Sequence, residues 1–180
     1  WTRAIVGGIA NGAGAGATAL INESLDNTTT APVNVTYVIT PSIGVCAGTP
    51  FNLDVTVNPT AVITSAATAT VCDNTPLGYT ATSSTVGATF AWTRAVVVGI
   101  ANPIGSGATS SINESLDNTT IAPVVVRYVI TPSYGLCTGT PFNLDVTVNP
   151  TAVITSAATR TVCDNTALGY TATSSTLGAT

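Results

Sequence analysis

The side chains able to do chemistry in this sequence are few: four cysteines, four basic residues, eight acidic residues and no histidine or methionine. All four basic residues are arginine (Arg3, Arg94, Arg127 and Arg160), so lysine is absent too. Without histidine there is no Ser-His-Asp or Cys-His nucleophile. Without lysine there is neither a Schiff base nor a Lys-Asn isopeptide cross-link. Glu114 and Asp117 have the residue types of an acid/base couple, but that work needs two carboxyls flanking a cleft, and a spacing of three along or beside one strand gives none. Asp73, Asp117 and Asp164 each precede an asparagine in a loop, where turn formation accounts for them; the dense Asp/Gly loop of a calcium site is missing. The residue types therefore predict no catalytic centre, no cofactor and no metal site.

The cysteines speak to compartment. Cys72 lies in Thr70-Val71-Cys72-Asp73-Asn74 and Cys137 in Gly135-Leu136-Cys137-Thr138-Gly139. With no Cys-x-x-Cys spacing and no histidine, zinc is ruled out as their purpose, and disulfides in an oxidising, extracellular setting are the natural reading.

Cys46 and Cys72 recur as Cys137 and Cys163, and Trp1-Thr2-Arg3-Ala4 recurs as Trp92-Thr93-Arg94-Ala95, always at an offset of 91. Roughly four-fifths of the aligned positions are identical, with no insertion or deletion. A unit of this length is too long for a solenoid turn and right for one β-sandwich domain. Val55-Thr56-Val57-Asn58-Pro59 reads as a last strand and a stop, repeated at Val146-Thr147-Val148-Asn149-Pro150, because proline cannot continue a central strand. Boundaries placed there make residues 1–59 the C-terminal part of one repeat, 60–150 a complete repeat and 151–180 the N-terminal strands of the next.

Period-two alternation defines the strands. Val124, Val126, Tyr128 and Ile130 should face the core, with Val125, Arg127, Val129 and Thr131 outward. The differences between copies agree, since Asn34 becomes Val125 and Thr36 becomes Arg127 on the outward face only. Phe142, Leu144, Val146 and Val148 form a second inward set, Leu77, Tyr79 and Ala81 a third, and Phe90 with Trp92 a fourth. Trp92 should pack between two sheets. Punctuation at Asn102-Pro103, Thr131-Pro132 and Thr140-Pro141 separates about seven strands, and no window carries helical periodicity. The predicted fold is all-β, with tandem immunoglobulin-like sandwiches.

Strict alternation also turns two charges inward. Arg94 shares a face with Phe90 and Trp92, and Glu114 shares one with Ile112 and Leu116. Each is costly alone and tolerable as a pair, so Arg94 and Glu114 are predicted to form a partly buried ion pair, with Arg3 and Glu23 as its counterpart, unless a β-bulge or strand end turns both outward. For the cysteines, an intradomain Cys72–Cys137 bond competes with an interdomain scheme. In immunoglobulin topology those loops lie at opposite poles, beyond the reach of about 7 Å between α-carbons. In the interdomain scheme the first-loop cysteine of one domain meets the last-hairpin cysteine of the following one, and none of the four is paired within this stretch. Free thiols are the third possibility.

A net charge of −4 without a basic cluster argues against nucleic-acid binding. A mean hydropathy of +0.46 comes from Val, Ile and Ala spread among Thr and Ser, with no signal peptide and no run long enough to insert into a membrane. Asn27-Thr28-Thr29, Asn118-Thr119-Thr120 and three further triplets match the N-glycosylation pattern.

The order Tyr-Val-Ile-Thr-Pro, Cys-x-Gly-Thr-Pro-Phe, Val-Thr-Val-Asn-Pro, Thr-Val-Cys-Asp-Asn, Tyr-Thr-Ala-Thr-Ser-Ser and Phe-Ala-Trp-Thr-Arg resembles the PKD-like (polycystic-kidney-disease-type) repeats of giant surface proteins of Bacteroidota. The resemblance implies an immunoglobulin-like sandwich, export to the cell surface, and a role in adhesion, gliding or surface fibres, with no catalytic residue carried over. Two functions follow as expectations: the shaft of an adhesin or filament, or a multivalent module binding carbohydrate or a partner protein. Neighbouring repeats, and like chains in a fibre, are the expected partners.

Overall fold

β-branched residues alternating with threonine favour a pleated, half-buried surface, and every regular element among the described residues is a strand. The computed structural model describes residues 1–179. Two compact units are present. One comprises Trp1–Thr64, Thr82–Phe90 and Thr131–Pro141; the other comprises Ser65–Ala81, Ala91–Ile130 and Phe142–Thr180.

In the first unit, β1 (Thr2–Arg3), β2 (Gly14–Ala15), β3 (Val33–Ile39) and β6 (Phe51–Val57) form a sheet in the order β2-β1-β3-β6, while β4 (Ser42–Ile43) and β5 (Cys46–Ala47) make a small hairpin. β3 and β6 run antiparallel from Val33 opposite Val57 to Ile39 opposite Phe51. Ile9, Val35 and Tyr37 are buried, with Trp1, Ile21, Leu25 and Val55 packed around them. The same unit contains Ala61 and the turn after Pro132. There the Gly139 amide donates to the Pro132 carbonyl at 2.8 Å, and a methyl group on Gly139 would come within 2.1 Å of the Ala61 carbonyl oxygen.

The remaining strands are β7 (Thr68–Cys72), β8 (Tyr79–Thr80), β9 (Thr89–Arg94), β10 (Gly105–Gly107), β11 (Ser111–Ile112), β12 (Val124–Tyr134), β13 (Cys137–Thr138) and β14 (Phe142–Asn149). They form a sheet in the order β10-β9-β12-β14-β7, with β13 on the end of β12, and a two-stranded sheet of β11 and β8. These strands make the immunoglobulin-like sandwich. β12 and β14 are antiparallel neighbours, so their inward residues stack as cross-strand pairs, Tyr128 opposite Leu144 and Val126 opposite Val146. Ile112, Leu116, Val126, Tyr128, Ile130, Leu144, Val146 and Val148 are all fully buried. Each such aliphatic side chain stabilises by about 1.5–3 kcal/mol against full exposure. On the outer face Arg127 makes a bidentate pair with its cross-strand partner Asp145 at 2.7 and 2.8 Å; the first copy has a Thr36–Asp54 hydrogen bond there instead.

One feature departs from the sequence reading. Pro132 does not end its strand, because β12 runs through it to Tyr134. The ladder with β14 stops at Ile130 opposite Phe142, so the proline takes no donor from it. β7 pairs with β14 in parallel, Thr68 through Cys72 against Asp145 through Asn149. And the copy of β7 at residues 159–163 is exposed and in no strand.

Asn118 joins the two layers. Its Nδ2 donates to the carbonyls of Ala122 and Val148 at 2.9 and 2.8 Å, its Oδ1 accepts from the Thr120 amide and hydroxyl, and its own amide donates to Asp73 Oδ1. Both side-chain N–H groups are committed inside the fold, which leaves no room for a glycan at that triplet. Asn118→Ala would orphan the buried Val148 carbonyl. The expected loss is about 1–3 kcal/mol, read as a lower urea midpoint with unchanged m-value.

Candidate functional site

The chemistry-bearing residues converge on one cluster, built twice. β9 delivers Trp92 and Arg94 to the interior on alternate residues, and β12 delivers Tyr128. Glu114 reaches the cluster from the segment after β11. Arg94 Nε and Nη2 donate to the two Glu114 carboxylate oxygens at 2.9 and 3.0 Å, in the bidentate fork that suits guanidinium to carboxylate. Two more donors go to backbone carbonyls, Nη2 to Pro103 at 2.7 Å and Nη1 to Ala95 at 3.3 Å. The Tyr128 hydroxyl donates to Glu114 Oε2 at 2.8 Å, and the guanidinium carbon stands 6.0 Å from the Tyr128 ring centre. Trp92 meets the same ring edge-on at 5.7 Å.

Arg94 has a side chain only 1% exposed, whereas Glu114 keeps 24%. The positive group is thus inside and the negative one reaches the edge. Arg3, Glu23, Tyr37 and Trp1 repeat the arrangement, with Arg3 Nε to Glu23 Oε2 at 2.8 Å, Tyr37 to Glu23 at 2.8 Å and the aromatic pair again at 5.7 Å. Arg3 Nη2 uses the Gly12 carbonyl where Arg94 uses that of Pro103. A carbonyl is available from any residue, so that substitution between copies leaves the cluster intact.

Sequence parity brings Arg94, Glu114 and Trp92 inward; it missed three further residues. Tyr128 reads as one more core aromatic, and only the structure shows its hydroxyl on the carboxylate. A Cβ on Gly105 would lie 2.7 Å from Glu114 Oε1, and one on Gly107 would lie 2.6 Å from the Trp92 ring. One glycine therefore makes room for the carboxylate and the next for the indole. Their signal was present as Gly-x-Gly in both copies, at Gly14 and Gly16 and at Gly105 and Gly107. The indole nitrogens of Trp1 and Trp92 are buried without a hydrogen-bond partner, so those rings are held by packing.

The electrostatics follow from contact. The Arg94 guanidinium holds the Glu114 carboxyl below the usual carboxylate range, opposed by burial and helped by the Tyr128 hydroxyl. Burial, followed by the hydrogen bond to Glu114, pushes the Tyr128 phenol well above its ordinary value. A carboxylate locked in its ionised form by a permanent cation is a poor proton carrier. The cluster is built to hold strands together.

Cys46, Cys72 and Cys163 are exposed, Cys137 is half-buried, and none is bonded to another. Among the described residues no group of acidic or sulfur side chains is placed to hold a metal, and no helix is long and apolar enough to cross a membrane.

Glu114→Gln should cost about 3 kcal/mol, the lower end for removing one partner of a buried pair, because Glu114 reaches solvent. Tyr128→Phe should cost about 1.5 kcal/mol, as for a hydrogen bond to a charged group. Denaturant titrations at pH 7 check both. In pH the signs are opposite. The Glu114 contribution, from a lowered folded value, is present above its unfolded value of about 4.3 and lost as pH falls further; that of Tyr128, from a raised one, is present below about pH 10 and lost above it. Melting temperature should therefore be flat between about pH 5 and 9, and Tyr128→Phe should remove the alkaline fall that Tyr128 contributes.

Residues 4–61 and 69–152 match the family model described as PKD-like domain. No curated protein matches the chain significantly.

Proposed function

Because the chain belongs to the PKD-like domain family, we propose that it is a length of structural repeat from an extracellular surface protein, forming the shaft of an adhesin or filament of the kind Bacteroidota display. In this reading residues 60–150 are one full repeat, 1–59 the end of the repeat before it and 151–180 the start of the next. The observation that carries the reading is what differs between copies. The Arg–Glu–Tyr–Trp cluster recurs with the same partners and nearly the same distances. The outer face changes from Asn34 and Thr36 to Val125 and Arg127, and the turn residue Ile43 becomes Tyr134. A module that bound one ligand many times would gain avidity by repeating its contact surface. Here the internal cluster recurs in full, while the differences gather on exposed positions.

A spacer role also suits a sparsely charged surface. Threonine, serine and asparagine hydrate through hydroxyl and amide groups, so an array clothed in them keeps its solvation across changes of salt and pH.

Electron cryomicroscopy of native material shed from the cell surface tests the reading. The expected image is a file of beads at about 40 Å per repeat, one eight-residue strand at about 3.3 Å per residue plus a loop at each pole. Unassembled, independently tumbling domains with added density on their loops would instead favour the binding-module alternative, carbohydrate or partner protein.

A further inference from the structure

At one place the two copies differ in reactivity while keeping the same contacts. The sequence holds a single Asn-Gly pair, Asn11–Gly12, and its counterpart in the second copy is Asn102–Pro103. The bonds around the two asparagines are alike. Asn11 Nδ2 donates to the Ser24 carbonyl at 2.9 Å, and its Oδ1 accepts from the Asp26 amide at 2.8 Å. Asn102 makes the same two bonds, to Ser115 at 2.9 Å and from Asp117 at 2.8 Å. In each copy the residue that follows gives its carbonyl to the buried arginine, Gly12 to Arg3 at 2.6 Å and Pro103 to Arg94 at 2.7 Å.

An asparagine side chain can be attacked at Cγ by the amide nitrogen of the next residue. A β-carbon on that residue hinders the approach, and glycine has none. Gly12 is exposed, and a β-carbon built there would meet nothing within 4 Å, so water reaches the site. As the nitrogen adds to Cγ, negative charge develops on Oδ1, the atom that already accepts from the Asp26 amide. A fixed N–H aimed at an oxygen that gains charge lowers the barrier. Asn102 has the same donor in Asp117, but Pro103 carries no N–H and cannot supply the nucleophile. We infer that Asn11 is a site of spontaneous deamidation, and that Asn102, held by the same bonds, is immune to it.

The reaction needs water alone. Hydroxide takes the Gly12 N–H proton and the bond from that nitrogen to Asn11 Cγ forms. The Cγ–Nδ2 bond then breaks, and the departing nitrogen takes a proton from water and leaves as ammonia, which closes a five-membered imide. Water opens the ring at either carbonyl, giving aspartate or isoaspartate, so the net exchange is ammonia out and water in. Aspartate has no N–H to offer Ser24. Isoaspartate carries the main chain through the former side chain with one more carbon, which moves the Gly12 carbonyl off Arg3. Arg3 is buried, so the first Arg–Glu–Tyr–Trp cluster loses an acceptor that the second cluster keeps. This chemistry does not depend on whether the array serves as shaft or binding surface.

The test is to hold the purified 180-residue chain in warm, mildly alkaline buffer, beside the same chain unfolded in urea. The peptides carrying Asn11 and Asn102 are then followed by mass and by enzymatic methylation of isoaspartate. The expected result in the folded chain is a gain of about one mass unit and methyl acceptance at Asn11, faster at higher pH, with neither at Asn102. Gly12→Pro should fold, since proline stands at that place in the other copy, and should abolish the gain. Pro103→Gly should confer it on Asn102. The modified fraction should melt at a lower temperature than fresh protein. An Asn11 that stays intact in the folded chain while it reacts in urea would overturn the proposal, because the fold would then shield it. So would an equal gain at Asn102, or a Pro103→Gly chain in which Asn102 stays unchanged.

Discussion

A guanidinium withdrawn from water needs acceptors inside the fold, and this requirement organises the structure: four of the five N–H groups of Arg94 are bonded. Arg94 cannot lose its proton to escape the cost of burial. Its N–H groups therefore require a carboxylate and carbonyls in one plane. Glu114 supplies the fork, Pro103 and Ala95 the carbonyls. These groups come from β9, the loop leading to β10 and the segment after β11. Satisfying one side chain thus fixes how three stretches of chain meet. The glycines follow from it, since carboxylate and indole both occupy space that any β-carbon at Gly105 or Gly107 would enter. A hydrophobic cluster of equal volume would pack as well or better, but it would accept small slips in register that the fork does not.

The two copies are a substitution experiment within one chain. Where a group contributes only its backbone, as at Gly12 and Pro103, the residue has changed freely. Where it contributes a side chain to the cluster, it has not: tryptophan, arginine, glutamate and tyrosine all recur. The outer face drifts more subtly. Thr36 and Arg127 differ greatly in size and charge, yet each finds the same cross-strand aspartate, Asp54 or Asp145. Such exposed pairs contribute at most about 1 kcal/mol, which is why that position tolerates either.

Much of this was legible beforehand, because two-residue periodicity records which face of a strand is dry. The inward sets on β12 and β14, the buried Trp92 and the inward turn of Arg94 and Glu114 all follow from parity. What parity does not carry is the identity of a strand's neighbour. Nothing in Thr68–Cys72 distinguishes a parallel partner from an antiparallel one. Pro132 misled because a proline breaks a strand only where its N–H is needed, and need is a property of the partner strand. Asn118 looked like a surface acceptor triplet because its hydrogen-bond partners, as distant as Val148, are brought near only by the fold.

The parallel placement of β7 beside β14 has a mechanical consequence. β7, at the edge of its sheet, and its neighbour β14 run in the same direction, so opposite pulls on Thr68 and Asn149 slide them past each other along their length. The hydrogen bonds of the ladder from Thr68 to Cys72 are then loaded together, whereas a hairpin pulled at its open end would break them in turn. Simultaneous loading raises the force at which the first bond fails without adding any contact to the resting structure. The ion cluster holds β9 in place farther across the same sheet. Register fixed by one buried fork and a parallel pair placed in shear are separate devices, and the second depends on the first, since a ladder resists shear only while its strands stay in register.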